Sequence, residues 1–163
     1  MKSLISTIAI LGLVGMVVGV AVQAATEGSV TATVTVQSIS LTVTDGTVAY
    51  GVLVVNTSTS TLGLTPVDTQ TATNNGNVTE NFNIRGTNSA NWTLQAAAGN
   101  EQYVHKFSTN GGASYTPLTL VNQTLATGKA PLGTQSFDLQ ITTPTATTFF
   151  TQQSVNVTVQ AIQ

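Results

Sequence analysis

The sequence predicts an all-β fold, an Ig-like antiparallel β-sandwich of about nine or ten strands preceded by a signal-peptide helix. Three observations point there. Apolar residues recur at every second position through most of the chain, the period of a strand with one buried face. The breaks between these runs carry Gly, Asn, Asp and Pro, the residues that turns require. The 163 residues include 31 Thr, 12 Ser and 12 Asn, and β-branched Thr suits a half-buried pleated surface. Leu, Ile, Val and Phe together number 45. That share is well above the roughly 20% below which a highly charged chain stays disordered, so a packed core is expected.

The first element is a targeting segment. Met1 and Lys2 precede an apolar run from Leu4 to Val22 that ends at Val22, Gln23 and Ala24, a small-residue exit of the kind signal peptidase cuts. Residues 1–24 are therefore read as a signal peptide and 25–163 as one β-sandwich domain. The rival reading is an uncleaved anchor, because the run is just long enough to span a bilayer. Glycines 12, 15 and 19 and the small-residue exit favour cleavage, after which no membrane contact is expected.

Val30, Ala32, Val34 and Val36 then alternate with Thr and Ser, whereas Ile39, Leu41 and Val43 occupy the opposite phase. A bulge, bend or break is expected near Gln37 and Ser38, so that 29–36 and 39–44 serve different faces or different sheets. Asp45-Gly46 reads as a tight turn into a central strand over 48–55, and 56–61 as a polar loop. Pro66 opens a strand near 67–73. Asn74-Asn75-Gly76-Asn77 predicts a hairpin into 78–85, with Val78, Phe82 and Ile84 on one face. After a loop over 86–90, Trp92, Leu94 and Ala96 share a face. Strands over 104–108 and 115–121 flank a second hairpin at Asn110-Gly111-Gly112. Residues 135–142 carry Phe137, Leu139 and Ile141. Past a connection containing Pro144, the last strand carries Val155, Val157, Val159 and Ala161, and the chain is expected to stop inside it.

Charge excludes several functions. Only four Lys or Arg and six Asp or Glu occur, about 6% of residues where a soluble domain has roughly 25%. No basic surplus exists to neutralise a phosphate backbone, so nucleic-acid binding is not expected. Zero cysteines exclude a disulfide framework, a thiolate metal site and a thiol nucleophile. A single histidine, His105, argues against a multi-His zinc site. Asp45, Asp68, Glu80, Glu101 and Asp138 are scattered, with no D-x-D-x-D-G loop, so no cofactor is expected beyond a structural calcium assembled by the fold. Paired-carboxylate catalysis would need two of these acids facing each other across a cleft that short loops do not supply, and no enzyme is expected. Five N-x-S/T sequons, at Asn56, Asn77, Asn91, Asn122 and Asn156, are close to what so much Ser and Thr produces by chance.

The stretch TATNNGNVTENFNIRGTNSANWTL, residues 71–94, resembles the N-x-G-N-V strand pair of secreted Ig-like sandwiches on prokaryotic surfaces. Its Arg85-Gly86, followed by Trp92-Thr93-Leu94, resembles the W-x-L element of WxL cell-surface domains. A Cys-free, Thr-rich exported sandwich is also similar to the TasA group of extracellular fibre subunits. WxL domains carry a second W-x-L near the C-terminus, and here Ser154–Ile162 has no tryptophan. The resemblance implies a cell-surface β-sandwich.

Two candidate sites follow. Tyr103, His105 and Phe107 alternate on one face, with Tyr115 placed to join them across the second hairpin; with Trp92 they are candidate ligand-facing aromatics for cell-wall or other polysaccharide. The plainer reading is a core Trp92 and ordinary cross-strand pairs. The N-terminal segment is the other candidate: residues 25–37 form a free-ended strand, with Val30, Val34 and Val36 as its buried anchors, that either completes its own sheet or pairs with an exposed edge of another subunit. The expectation is an exported, non-catalytic structural protein of the cell surface, a fibre or envelope-layer subunit that associates with itself or with other surface proteins by strand addition. The alternative is a polysaccharide-binding module.

Overall fold

The computed structural model describes residues 27–163, and the expected signal segment, 1–24, lies outside the described residues. The chain divides between Val34 and Thr35 into a leading part and a compact unit, residues 35–163. Residues 27–34 of the leading part are exposed and belong to no strand or helix.

The compact unit is an all-β sandwich of two sheets packed against each other. In chain order its strands are β1 (Leu41–Thr44), β2 (Ser58–Ser60), β3 (Gln70–Asn74), β4 (Glu80–Arg85), β5 (Thr93–Leu94), β6 (Gln102–Ser108), β7 (Thr116–Pro117), β8 (Gln123–Lys129), β9 (Thr134–Thr142) and β10 (Thr158–Ile162). A single 3-10 turn, Thr61–Gly63, follows β2. The larger sheet runs β1-β3-β9-β6-β5, and the smaller runs β10-β4-β8. Strand β9 is the spine of the larger sheet. One of its edges pairs first with β3 and then with β2, while β6 pairs with the other, bringing His105 opposite Ile141 and Phe107 opposite Leu139.

Period-two patterning explains the core. In β4 the even positions Phe82 and Ile84 are wholly buried, and in β9 Phe137 and Leu139 face them together with Tyr103 and Phe107 of β6. Each such side chain contributes roughly 1.5–3 kcal/mol on leaving water. The short pair β5–β6 is parallel, a local departure from the antiparallel expectation, because the loop from Leu94 to Gln102 carries the chain back to the starting end of β5, where Gln102 pairs with Thr93.

At Asp45-Gly46 the chain bends, with both residues at positive φ, 67° and 69°, but no backbone hydrogen bond closes the expected tight turn. The hairpin at 110–112 joins β6 to antiparallel β7 as expected. Strand β1 and the alternation of Val155, Val157, Val159 and Ala161 against the core also match the patterning, although pairing in the last run begins only at Thr158.

Other expectations are corrected. Residues 29–36 form no strand in this chain, and Val30, Val34 and Val36, 94%, 90% and 80% exposed, do not complete its own sheet. Residues 48–55 are not a central strand. Val48 and Tyr50 point inward, but Gly51 at φ 75° breaks the phase, and Val52 and Val54 face solvent. Alternation and β-branching specify a side chain that fits a pleated surface, not the presence of a neighbouring strand. Residues 58–60, read as loop, instead pair with β9, and β3 starts at Gln70 rather than beside Pro66. Strand β8 lacks a clean alternation because its pairing with β4 is bulged around Phe82.

The Asn74–Asn77 turn is not a hairpin. Strand β3 lies in the larger sheet and β4 in the smaller, so the turn carries the chain from one sheet to the other. Asn74, fully buried, makes that corner possible: its Nδ2 donates to the carbonyls of Val78 and Lys129, both at 2.8 Å, and its Oδ1 accepts from the Gly76 N–H at 2.8 Å. Gly76 is required because a Cβ there would sit 2.4 Å from the Ser38 carbonyl oxygen. Asn74→Ala leaves two part-buried carbonyls without this donor and is expected to lower stability by about 2 kcal/mol. Urea unfolding of the variant checks this, and a loss below about 0.5 kcal/mol would show that the corner does not depend on that side chain.

Candidate functional site

On one side of the sandwich two segments without strand partners, 48–55 and 149–157, border an open groove of about 1140 Å3. Its floor is the inward face of the larger sheet, Val43 of β1 with Phe137, Leu139 and Ile141 of β9; Val155, Val157 and Val159 form the opposite wall. None of its lining residues is Asp, Glu, Lys or Arg. The groove lies where the sheets stop beside two segments that alternate only in part, Val48 and Tyr50 on the first flank and Val155 and Val157 on the second. Strand β4 ends at Arg85, opposite Thr158, so the ladder stops there, and beyond it only the Thr87 hydroxyl reaches the backbone of Asn156, donating to its carbonyl at 3.2 Å and accepting from its N–H at 3.0 Å.

Tyr50 ties the first flank to the floor. Its hydroxyl lies 2.9 Å from Nε2 of His105, and the two rings meet edge to face with centroids 5.8 Å apart. Burial pushes the His105 imidazole down to about 4, so it is neutral at neutral pH, and its buried Nδ1 has no partner. Burial, and to a lesser degree the negative field of Asp68, pushes the Tyr50 hydroxyl upward.

The sequence-predicted aromatics do not form an exposed patch. Tyr103 and His105 are core residues, and the Tyr103 hydroxyl donates to the Thr87 carbonyl. Tyr115 is half-buried with a buried, unpartnered hydroxyl. Trp92 packs against the core, and its Nε1 donates to Thr147 Oγ1 at 3.0 Å, which in turn donates to Glu101 Oε2 at 2.6 Å. The Thr147 hydroxyl first, then the N–H and hydroxyl of Thr148, hold the Glu101 carboxyl below its ordinary range. Tyr103 and His105 follow the plainer reading as buried strand residues, whereas Trp92 is half-buried between the core and the groove and Tyr115 lies outside any strand. The inward side of β6 is covered by the second sheet, so its alternation marked burial rather than a platform.

The acids are engaged locally. Asp138 accepts from Thr61 and Thr69 at 3.2 and 2.6 Å, Asp68 from Gln70 at 2.6 Å and Asp45 from Thr47 at 3.0 Å. Glu80 is wholly buried; its Oε1 accepts from the Ser40 N–H at 2.9 Å, and its Oε2 has no partner. No three His, Cys, Asp or Glu gather into a metal-binding group among the described residues.

Sequence reasoning missed Tyr50 and the unpaired character of 48–55. Gly51, breaking an otherwise regular run of β-formers, was the available signal. Comparison with protein-family models, with curated proteins and with solved structures finds no match.

Proposed function

We propose that this is an exported structural protein of the cell surface, a subunit of an extracellular fibre or envelope layer that assembles by donating its N-terminal segment as a strand to another subunit. The observation that carries this reading is the segment itself. Residues 28–36 alternate Val30, Ala32, Val34 and Val36 with Ser and Thr, contain no charge, and are exposed without a strand partner. Such a segment gains both its ladder hydrogen bonds and the burial of its valines only by adding to an exposed sheet edge. Low charge supports the reading, because a secreted monomer ordinarily guards its edges with charged side chains. Burial of Tyr103 and His105 removes them as the stacking platform a polysaccharide module would need, and no catalytic role is proposed.

Electron microscopy and light scattering of the chain beginning at Ala25 test this, beside a Val30→Lys, Val34→Lys double variant. Ordered assemblies from the first and monomers from the second are expected. Monomers from both at high concentration would overturn the reading.

A further inference from the structure

The groove between 48–55 and 149–157 has no occupant within the described residues, and we infer that it is the acceptor for residues 28–36 of a second copy of this chain. This inference rests on the reading of the protein as a strand-donating subunit and assigns the surface that receives the strand.

The backbone supplies the first argument. Among the described residues, Val48–Leu53 and Phe150–Val155 make no hydrogen bond to another backbone group. Two rows of N–H and C=O groups without backbone partners among the described residues therefore border one trough, with the Thr151 carbonyl accepting only from the Gln153 side chain, and a strand entering between them would satisfy both rows. Two large apolar side chains at the opening face solvent, Val52 and Phe150 at 102% and 84% exposure, beside the polar run Thr151–Ser154.

Size and chemistry select the occupant. A volume of about 1140 Å3 exceeds the roughly 300–1,000 Å3 of small-molecule sites and suits a length of chain. Nine residues in strand conformation reach about 30 Å. The groove lining and residues 28–36 are both free of charge, so neither loses ionic hydration on joining. In strand conformation the donor presents Val30, Ala32, Val34 and Val36 to one side and Thr31, Thr33 and Thr35 to the other, matching an apolar floor below and water above.

Attachment of the donor argues for a second copy. The compact unit holds the base of the segment at the Asn74–Asn77 turn, where Asn77 Nδ2 donates to the Val36 carbonyl and the Asn77 N–H to the Ser38 carbonyl. That turn lies at the start of β1, since Leu41 pairs with Asn74, whereas the first wall of the groove begins beyond the other end of β1, past Asp45-Gly46. Donor exit and acceptor entrance at opposite ends of one strand produce a head-to-tail contact, and such contacts propagate into filaments when they do not close into rings.

The test uses the chain from Ala25 carrying Val30→Lys and Val34→Lys, which removes the donor and leaves the groove. A synthetic peptide of residues 27–36 is titrated into it, and emission of Trp92, the single tryptophan and a groove residue, reports binding. Saturable binding is expected, weakened at least tenfold by adding Val52→Lys and Phe150→Lys, both at exposed positions that leave the melting curve unchanged. Absence of binding, or binding insensitive to those two changes, overturns the assignment. A second arm separates the two ideas. Donor-blocked and groove-blocked chains, each monomeric alone, are expected to form dimers and nothing larger when mixed. If the donor change stops assembly while the groove changes do not, strand donation stands and this acceptor is wrong.

Discussion

Replacing Phe82 by Ala is expected to lower the unfolding free energy by about 3–5 kcal/mol, a large part of the roughly 5–15 kcal/mol available to a domain of this size. Phe82 has no solvent exposure and sits in the central strand of the smaller sheet, opposite Ala161 on one side and Ala126 on the other. Both cross-strand partners are small, so neither can expand to fill the space a lost ring leaves. The same ring spans toward the larger sheet through the shared core with Phe137 and Leu139. Urea unfolding monitored by circular dichroism measures the effect. A loss under about 1 kcal/mol would mean that the two sheets are not held together around this residue.

Acid is expected to weaken the domain between pH 6.5 and about 4, through His105. The folded protein holds this imidazole at about 4, while in the unfolded chain it returns to its ordinary 6.5. Folded His105 thus refuses a proton that the unfolded chain accepts. Its contribution is complete above 6.5, falls as pH drops through that window, and levels off below about 4. A gap of about 2.5 units at 1.36 kcal/mol per unit corresponds to roughly 3 kcal/mol. His105→Gln keeps a group that can hydrogen-bond the Tyr50 hydroxyl but cannot take up the proton. Its stability is expected to stay flat from pH 6.5 to 5, where the parent already declines; parallel slopes for the two proteins would remove His105 as the cause. Because Tyr50 anchors the first flank of the groove to His105, the same acid loss should loosen that flank before the rest of the sandwich.

Much of the architecture was legible because it depends on local rules. Leu41 and Val43, Phe82 and Ile84, and Phe137 and Leu139 are inward wherever period-two spacing places them. The turn at Asn110-Gly111-Gly112 forms where the sequence requires it, and Asp45-Gly46 bends the chain without closing a tight turn. Asn74-Gly76 shows the limit of such rules: an Asn-Gly turn reverses the chain, but whether the strands on either side pair with each other is decided by Asn74 reaching Val78 and Lys129 across the corner. Glu80 was expected to be one scattered acid among others, and its burial depends on the Ser40 N–H, forty positions away in sequence.

The candidate site was half legible. The alternating valines and lack of charge of the proposed donor segment can be read directly from residues 28–36. The groove cannot, because residues 48–55 have the composition of a central strand and lack only the neighbour that would make them one.

By itself, then, the sequence determined the all-β class, the inward face of most strands and the uncharged, alternating character of the N-terminal segment, since each follows from side-chain period and composition within a few residues. Tertiary structure alone decided which strands became neighbours, that the aromatics of β6 are core, and that two strand-like segments were left unpaired beside an apolar floor. Pairing is a contest among distant partners for a limited number of ladder positions. Its losers are identified only when every winner is in place.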